Sequence, residues 1–459
     1  MAKILPVAVI GAGPVGLAAA AHLVARGIIP VVFERGTKVA SSMRDFSHVR
    51  LFSPWRYNVD EAARALLEET GWKAPDPDAL PTAGEMIDTY LALLAAHPSI
   101  EPQIMLGTEV TAIGRLGLDR MSSAGRADAP FQVGWKAKDG RTGTIEAHAV
   151  IDASGTWSNP SPMGADGMPV KGEAMLSDVI GYGIPNVLGP ERPRYADKRV
   201  LIVGSGHSAT NVALDLVRLR DEEPGTEILW GLRKAGIGKL FRGGLDDQLP
   251  ERGALGLAAG NVIEDGRVKV LAPLAIRSVE RNGDTVTVAA DLNGSRIVLE
   301  VDRIVVATGF RPNFDMLREL RVAIDPITEA PPALAPLIDP NVHSCGSVPP
   351  HGAVELAHPE PDFYIVGSKS YGRAPTFLMA TGYEQVRSVV AEIAGDREAA
   401  RRVQLVLPET GVCSAPSVPS RIVSGCCGGP APKDVEACCA DDAGAKAEGK
   451  SGCGCGSAA

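Results

Sequence analysis

Two glycine-rich loops of the same form, about 190 residues apart, constrain the fold of this chain more than any other feature. Residues 11–16 read GAGPVG, and residues 204–209 read GSGHSA. Each loop follows a short apolar run typical of a buried strand and opens a segment with the apolar spacing of a helix. A glycine loop in that position is typical of a βαβ unit that binds a dinucleotide. The sequence therefore predicts an α/β chain with two dinucleotide-binding units.

Each glycine of the first loop has a separate task. Gly11 permits the tight turn, Gly13 lets backbone N–H groups approach a pyrophosphate, and Gly16 lets the helix lie close to the sheet. Glu34 ends the next predicted strand, just before Arg35, and its carboxylate is suited to accept hydrogen bonds from a ribose 2′-hydroxyl. We therefore expect FAD at the first site, and the residues assigned to it are Gly11, Gly13, Gly16, Glu34 and Arg35. The alternative is a loop whose glycines only permit a tight turn.

The second loop has the same form, with an alanine in place of the third glycine. The next predicted strand is followed by Arg233 and Lys234, where the first unit has its carboxylate. Two cations suit a ribose 2′-phosphate, so NADPH is preferred over NADH; the alternative is that both side chains belong to a solvated strand end. The residues assigned to this site are Gly204, Gly206, Ser208, Ala209, Arg233 and Lys234.

The segments between and beyond the loops predict the remaining elements. Short alternating strands with Gly and Asp turns, typical of a β-meander, occupy residues 107–150 and 268–301. Buried strands ending in glycine are predicted at residues 302–309 and 363–367, and helices at residues 84–96 and 375–394.

This pattern predicts two Rossmann-like, three-layer ββα domains, with the NADPH-binding domain inserted in the FAD-binding domain. The FAD-binding domain is expected in two parts, residues 1–160 and 306–400, and the NADPH-binding domain covers residues 161–305. Beyond residue 410 the chain loses its aromatic and most of its large aliphatic residues. Residues 411–459 are therefore predicted to form a disordered, cysteine-rich tail, since they bury too little apolar surface to fold alone.

The net charge and the N-terminal sequence limit which partners and which cellular location are expected. A net charge of −9 without a basic run argues against nucleic acid as a partner. The apolar residues 4–23 are interrupted by Pro and Gly where a strand turns into a helix, which argues against a membrane span. A signal peptide is not expected either, since Lys3 is the only early positive charge and no small-residue cleavage site precedes the loop. We therefore expect a cytoplasmic protein with no membrane partner.

Seven of the eight cysteines lie beyond residue 410, and such clustering in a cytosolic chain indicates metal or redox chemistry. Adjacent thiols do not readily close disulfides with each other, but they present thiolates to one soft ion such as trivalent arsenic, Hg(II), Cu(I) or Zn(II). The alternative is a tail that only scavenges ions. For Cys345, which lies near His343 and His351, a buried core cysteine is favoured over a functional one. The predicted ligands for a soft metal or metalloid are Cys426, Cys427, Cys438, Cys439, Cys453 and Cys455.

Two dinucleotide units in one chain, the second inserted in the first, resemble the flavin-containing monooxygenases and the wider superfamily of two-domain flavoproteins. The resemblance covers residues 3–400. Residues 152–155 (DASG) and 307–310 (ATGF) resemble the segments where such chains pass between their two domains. Residues 53–58 (SPWRYN) lie where that family brings an asparagine near the flavin, which implies a hydrogen bond from Asn58 to the flavin.

The resemblance also implies that Gly309 and Gly367 lie at the cofactors.

Three features of the sequence depart from the family pattern. The F-x-G-x-x-x-H stretch before the second loop is missing, and residues 182–185 (YGIP) stand in its place. The Gly-Asp pair that many relatives place against the flavin ribityl chain is replaced by Gly367 and Ser368. The body contains neither the C-x-x-C nor the C-x₄-C pair of the disulfide reductases.

The tail resembles the cysteine-rich extensions of proteins from bacterial arsenic- and heavy-metal-resistance operons, and the body is similar to the flavin monooxygenases of those operons. These resemblances imply an NADPH-dependent FAD oxidoreductase that uses O₂ and a C4a-hydroperoxyflavin to oxygenate a small molecule at sulfur, nitrogen or trivalent arsenic. Two alternatives stay open. One is an NADPH-dependent flavin reductase of a thiol-bound metal or metalloid, and the other is a soft-metal-binding protein with incidental flavin chemistry.

Overall fold

The computed structural model describes residues 5–234, 250–341, 348–374 and 377–405, all within one unit of the chain, Met1–Cys413. All eight cysteines, and with them the predicted metal ligands, lie outside the described residues. The strands, in chain order, are β1 (Val7–Ile10), β2 (Pro30–Phe33), β3 (Ile104–Met105), β4 (Thr108–Arg115), β5 (Phe131–Ala137), β6 (Thr142–Ala147), β7 (Ala149–Asp152), β8 (Ile180–Tyr182), β9 (Arg199–Val203), β10 (Glu227–Gly231), β11 (Lys269–Leu271), β12 (Leu274–Asn282), β13 (Thr285–Leu292), β14 (Ser295–Val301), β15 (Arg303–Val306) and β16 (Phe363–Ile365).

The helices, in chain order, are α1 (Pro14–Ala25), α2 (Ser41–Arg44), α3 (Glu61–Glu69), α4 (Ala83–Met86), α5 (Ala92–Ala95), α6 (Arg192–Tyr195), α7 (His207–Glu222), α8 (Pro250–Glu264), α9 (Ala335–Ile338), α10 (Met379–Ile393) and α11 (Arg397–Arg401). None of these helices combines the length and the apolar character needed to cross a bilayer.

Two parallel five-stranded sheets form the framework. The first sheet has the order β16–β7–β1–β2–β3, and the second has the order β11–β10–β9–β15–β8. Every paired neighbour in both sheets runs parallel. The strands of the second sheet lie in sequence between β7 and β16, which are neighbours in the first sheet. The prediction of an α/β chain with parallel sheets is confirmed, while the domain boundaries remain a prediction.

Both faces of each sheet are covered, which explains why the central strands are apolar at every position. In β1, Val7 and Val9 belong to a core that includes α1 and α10, and Ala8 and Ile10 belong to a core that includes β5. The same alternation holds in β9, where successive residues enter a core with α7 and a core with β13. Each sheet thus lies between helices and an antiparallel meander, β4–β5–β6 in one case and β12–β13–β14 in the other.

The boundaries differ from the predicted ones in three places. The helix predicted at residues 375–394 begins at Met379, because Leu378 is extended with φ −110° and ψ 145°. The helix predicted at residues 84–96 is interrupted by the π-helical turn Ile87–Leu91. Helix α8 was not predicted, since its three glycines weaken the helical signal, and it packs against α7 through buried Ala259.

Candidate functional site

The first glycine loop connects β1 to α1 at the carboxyl end of the first sheet. Gly11 has φ +101°, and a Cβ atom there would lie 2.7 Å from the carbonyl oxygen of Ala153. A Cβ atom at Gly16 would lie 1.9 Å from the carbonyl oxygen of Gly11, so no side chain fits. Gly13, in contrast, faces open space at the N-terminus of α1. This geometry fits the predicted tasks, because Gly13 leaves room for a pyrophosphate where the helix N-terminus favours an anion.

Glu34 is buried beside this loop. Its Oε2 accepts a hydrogen bond from the backbone N–H of Ala12 at 3.0 Å. Its Oε1 accepts hydrogen bonds from the backbone N–H of Gly36 at 2.6 Å and from Oγ of Ser41 at 2.7 Å. A carboxylate has about four acceptor positions, so capacity remains for a ribose hydroxyl. The neighbouring Arg35 is exposed and lies outside this set of contacts.

The second glycine loop repeats this geometry between β9 and α7. Gly204 has φ +137°, and a Cβ atom there would lie 2.2 Å from the carbonyl oxygen of Ala307. Gly206 faces open space at the N-terminus of α7, where Ser208 is half-buried and Ala209 is fully buried. Trp230, which the sequence did not single out, donates from Nε1 to the Gly204 carbonyl oxygen at 2.8 Å and holds the loop against β10.

Arg233 and Lys234 follow β10 after one buried residue, Leu232, and both are exposed. Nη1 of Arg233 donates to the carbonyl oxygen of Ala165 at 3.3 Å, which brings residues 163–168 to the edge of this site. The two predicted cations thus lie just beyond the end of β10, the strand next to the one that carries the second loop. That is where the ribose of a bound dinucleotide lies in a βαβ unit.

The predicted glycines at the ends of the late strands differ in their surroundings. Gly367 has φ +69°, packs against Val15 of the first loop, and donates its N–H to Oε1 of Gln385 at 2.7 Å. Gly309 has φ +97°, and a Cβ atom there would meet nothing within 4 Å. Gly367 is therefore brought to the first loop. Gly309 lies instead on the chain that leaves the second sheet, where its carbonyl oxygen accepts from Ser161 N–H.

Asn58 is fully buried and its side chain is held by Ser53. The Asn58 Nδ2 atom donates to the Ser53 carbonyl oxygen at 2.6 Å, and its Oδ1 accepts from Ser53 Oγ at 2.9 Å. The Asn58 carbonyl oxygen accepts from the Tyr383 hydroxyl at 2.9 Å. Tyr383 lies on α10 beside Gly382, which packs against Val15. Asn58 is thus tied to the first loop, and within the described residues one of its two amide hydrogens has an acceptor, the Ser53 carbonyl oxygen.

Sequence reasoning missed a buried ion pair at the same end of the first sheet. Lys369 Nζ lies 2.6 Å from Oδ2 of Asp152, and Ser154 Oγ donates to Oδ1 of the same carboxylate at 2.6 Å. Asp152 and Lys369 are separated by 217 positions, so no local pattern links them. The only sequence signal is an aspartate at the end of a strand that is otherwise apolar.

The structure does not test the predicted metal site, because the cysteines predicted as ligands lie outside the described residues. Within the described ranges, no three His, Cys, Asp or Glu side chains are grouped as a metal site requires. His351 lies there, buried, with Nε2 2.9 Å from Nε2 of Gln385 and Nδ1 3.0 Å from the Pro349 carbonyl oxygen. Burial lowers the pKa of His351, which suits a neutral core histidine.

Comparison with curated proteins finds monooxygenases. The chain is 28% identical over 215 residues to rice indole-3-pyruvate monooxygenase YUCCA1, an alignment that covers 46% of this chain and 44% of the relative. It is 26% identical over 224 residues to mouse flavin-containing monooxygenase 1, covering 46% of this chain and 38% of the relative. The chain thus spans less than half the length of these relatives.

Solved structures share the fold over most of the chain. A bacillithiol disulfide reductase from Bacillus cereus matches with a TM-score of 0.64 and 18% identity, covering 86% of this chain and 99% of that one. The ornithine N-hydroxylase of Kutzneria sp. 744, solved with reduced FAD, NADP⁺ and L-ornithine, matches with a TM-score of 0.57 and 18% identity, covering 87% and 100%. Both likenesses show that this chain shares its fold with these two proteins.

A family model described as pyridine nucleotide-disulphide oxidoreductase matches residues 8–336. The predicted cofactors, FAD and NADPH, and the class of flavin-dependent oxidoreductase are confirmed at the level of the family and these relatives. The loops at Gly13 and Gly206 and the residues that follow β2 and β10 fit those cofactors. From residue 8 to residue 336, the chain belongs to the pyridine nucleotide-disulphide oxidoreductase family.

Proposed function

We propose that this chain is an NADPH-dependent, FAD-containing monooxygenase that transfers an oxygen atom to a soft nucleophile, namely sulfur, nitrogen or trivalent arsenic. The observation that carries the proposal is the contrast between the two loops. The first has a buried carboxylate, Glu34, at the ribose position, and the second has two exposed cations, Arg233 and Lys234. One chain thus offers a site for a dinucleotide without a 2′-phosphate and a site for one that carries it.

The residues of the chain bind and orient, because the cofactors carry the chemistry. FAD, when bound, accepts a hydride from NADPH and activates O₂. Gly13 and the N-terminus of α1 hold the FAD pyrophosphate, and Glu34 holds its ribose. Trp230 fixes the second loop, so that α7 presents its N-terminal amides to the NADPH phosphates. Asn58, which is fully buried and donates one amide hydrogen to Ser53 among the described residues, is the candidate for a hydrogen bond to the flavin through its second amide hydrogen.

Two further observations favour oxygenation over disulfide reduction. The full sequence contains no C-x-x-C or C-x₄-C pair, so the chain lacks the usual redox cysteines of a disulfide reductase. The curated relatives that match, from rice and mouse, are named as monooxygenases. Neither observation depends on the Asn58 assignment.

The cysteine-rich tail supports a second candidate, a flavin reductase of a thiol-bound soft metal that acts in metalloid resistance. Seven cysteines lie beyond residue 410, and two pairs of them are adjacent. Such thiolates bind soft ions and, in this candidate, hold the ion for reduction by the flavin. The resemblance of the tail to extensions of arsenic-resistance proteins supports the same role.

One experiment separates the candidates. The flavin is reduced anaerobically with NADPH, and the sample is mixed either with O₂ or with Hg(II) in anaerobic buffer while the flavin spectrum is recorded. The monooxygenase predicts slow reoxidation by O₂ through a distinct absorbing species and no reoxidation by Hg(II). Rapid reoxidation by Hg(II), absent in a chain that ends at Gly411, is the result expected of the reductase. Failure of NADPH to reduce the flavin contradicts both candidates.

A further inference from the structure

Two chain segments connect the sheets, and they are hydrogen-bonded to each other. The outgoing crossing, residues 153–162, leaves β7, and the return crossing, residues 307–313, follows β15. Ser161 N–H donates to the Gly309 carbonyl oxygen at 2.8 Å, and Arg311 N–H donates to the Asn159 carbonyl oxygen at 2.9 Å. A two-stranded connection of this kind bends and twists readily unless side chains fix it.

Trp157 lies in the outgoing crossing and stacks on the return crossing. Its ring centroid is 4.4 Å from that of Phe310, with 28° between the ring planes. The Trp157 ring centroid is also 4.7 Å from that of Phe46, which follows α2 and packs in the core of the first sheet. Aromatic pairs at these separations attract each other beyond the effect of burial alone. The indole of Trp157 therefore joins the two crossings to the segment that follows α2.

Two more contacts give the indole a single orientation. Its Nε1 donates to Oδ2 of Asp45 at 2.8 Å. Its far edge rests on Gly183, the residue after β8 of the second sheet, where a Cβ atom would lie only 3.0 Å from the ring. Gly183 has φ +86°, so both the backbone and the space favour glycine there. The indole is thus hydrogen-bonded to Asp45, directly after α2, and packed on Gly183 at the edge of the second sheet.

The same short helix links this indole to the FAD loop. Ser41, at the start of α2, donates to Glu34, and the backbone N–H of Ala40 donates to the Ala12 carbonyl oxygen at 2.9 Å. Asp45 and Phe46, directly after α2, hold Trp157. The single turn of α2 therefore separates Ser41, which contacts Glu34, from the two residues that contact Trp157.

We propose that Trp157 is a positioning residue, which fixes the orientation of the second sheet and its NADPH loop relative to the FAD loop. The inference rests on the proposed function, because its purpose is to align the two cofactors for hydride transfer. Hydride transfer requires near contact between the two rings, and a displacement of about 1 Å can cost roughly a hundredfold in rate. The contacts of Trp157 among the described residues are to Asp45, Phe46, Gly183 and Phe310, all outside the two loops, so we expect an effect on orientation and not on binding.

The test compares Trp157→Ala with Trp157→Phe, which keeps the stacking, and with Trp72→Ala as a matched control. Trp72 is also half-buried, with one hydrogen bond to Thr89 and one aromatic contact, but it lies far from the crossings in sequence. Each FAD-bound variant is examined by hydrogen exchange without NADPH, and then by anaerobic stopped-flow reduction over a range of NADPH concentrations.

We expect faster exchange at the amides of Ser161 and Arg311 in Trp157→Ala, with α1 unchanged. The limiting rate of flavin reduction should fall about tenfold to a hundredfold, while the Kd for NADPH and the FAD content stay near wild type. Trp157→Phe should restore most of the rate, and Trp72→Ala should change neither quantity. Should Trp157→Ala fail to fold, Asp45→Ala removes only the hydrogen bond at an exposed side chain and should speed exchange at the same two amides.

If the amides of Ser161 and Arg311 exchange in Trp157→Ala as slowly as in the wild type, the inference is overturned. It is also overturned if exchange is faster but the limiting rate of flavin reduction is unchanged, because the indole then stabilises the crossings without positioning the cofactors. A Kd for NADPH that rises in parallel with the loss of rate also overturns it. If NADPH does not reduce the wild-type flavin, the proposed function fails, and hydrogen exchange alone still decides whether Trp157 holds the crossings together.

Discussion

Lys369 and Asp152 form an ion pair at the carboxyl end of the first sheet, with Nζ 2.6 Å from Oδ2 and both side chains almost fully buried. Asp152 ends β7, the neighbour of β1 that leads into the first glycine loop. Lys369 lies two residues after Gly367, which packs on that loop. The pair therefore joins the end of β7 to the segment that follows β16, the neighbour of β7 in the first sheet.

Loss of one partner of this pair should be costly. Lys369→Met leaves the Asp152 carboxylate buried without its cation, and we expect a loss of about 3–5 kcal/mol in the free energy of unfolding. Urea denaturation followed by circular dichroism measures this. Combining Lys369→Met with Asp152→Asn removes both charges and should recover part of the loss. A double variant less stable than the single one would contradict the charge-based account.

Glu34→Arg should abolish retention of FAD. The substitution places a cation where Ala12, Gly36 and Ser41 all donate hydrogen bonds, and it removes the acceptor for the ribose. Glu34→Gln keeps one acceptor oxygen and should retain part of the flavin. The ratio of flavin absorbance to protein after gel filtration gives the occupancy. A Glu34→Arg protein that stays fully loaded shows that the first site is misassigned.

The double substitution Arg233→Ala and Lys234→Ala should raise KM for NADPH and leave KM for NADH nearly unchanged. Each charge-assisted hydrogen bond to a phosphate contributes about 1.5–3 kcal/mol, so the expected loss is roughly tenfold or more. Lys136→Ala with Lys138→Ala removes the same charge from exposed positions on the meander of the first sheet and serves as control. Equal losses for NADPH and NADH would remove the argument for a 2′-phosphate site.

Burial lowers the pKa of His358 to about 4, from an ordinary value of 6.5. Above pH 6.5 the histidine is neutral in both the folded and the unfolded chain, and it adds no pH dependence. Between pH 6.5 and about 4 only the unfolded chain takes up the proton, so stability falls as the pH falls, by up to about 3 kcal/mol. Urea denaturation at a series of pH values should show a weaker dependence in His358→Phe. Parallel curves for the two proteins would refute this assignment.

The tail should bind arsenite through both adjacent cysteine pairs together, because trivalent arsenic takes three thiolates and no single pair supplies them. In the full chain, replacing either Cys426 and Cys427 or Cys438 and Cys439 with serine should cost most of the affinity, as measured by calorimetry. Affinity should also weaken as the pH falls, because binding releases thiol protons. Cys413→Ser is the control. Undiminished binding after the loss of one adjacent pair would exclude a shared site.

The sequence by itself determined the features that depend on neighbours along the chain. A glycine loop between an apolar strand and a helix depends on local backbone geometry, so both loops and the carboxylate of Glu34 were predicted at their observed places. The meanders were predicted for the same reason, since Asn293 and Gly294 both adopt the positive φ that a two-residue hairpin turn requires.

The tertiary structure alone decided the contacts between distant residues. The pair Asp152–Lys369 spans 217 positions, and the stack of Trp157 on Phe310 and Phe46 brings together three separate segments. These side chains meet because parallel sheets bring strand ends from distant parts of the chain to one edge. No periodicity or local motif in the sequence indicates such a contact between distant residues. The sequence therefore predicted which cofactors the chain binds, while the fold decided which distant side chains contact one another beside the two glycine loops and the crossings.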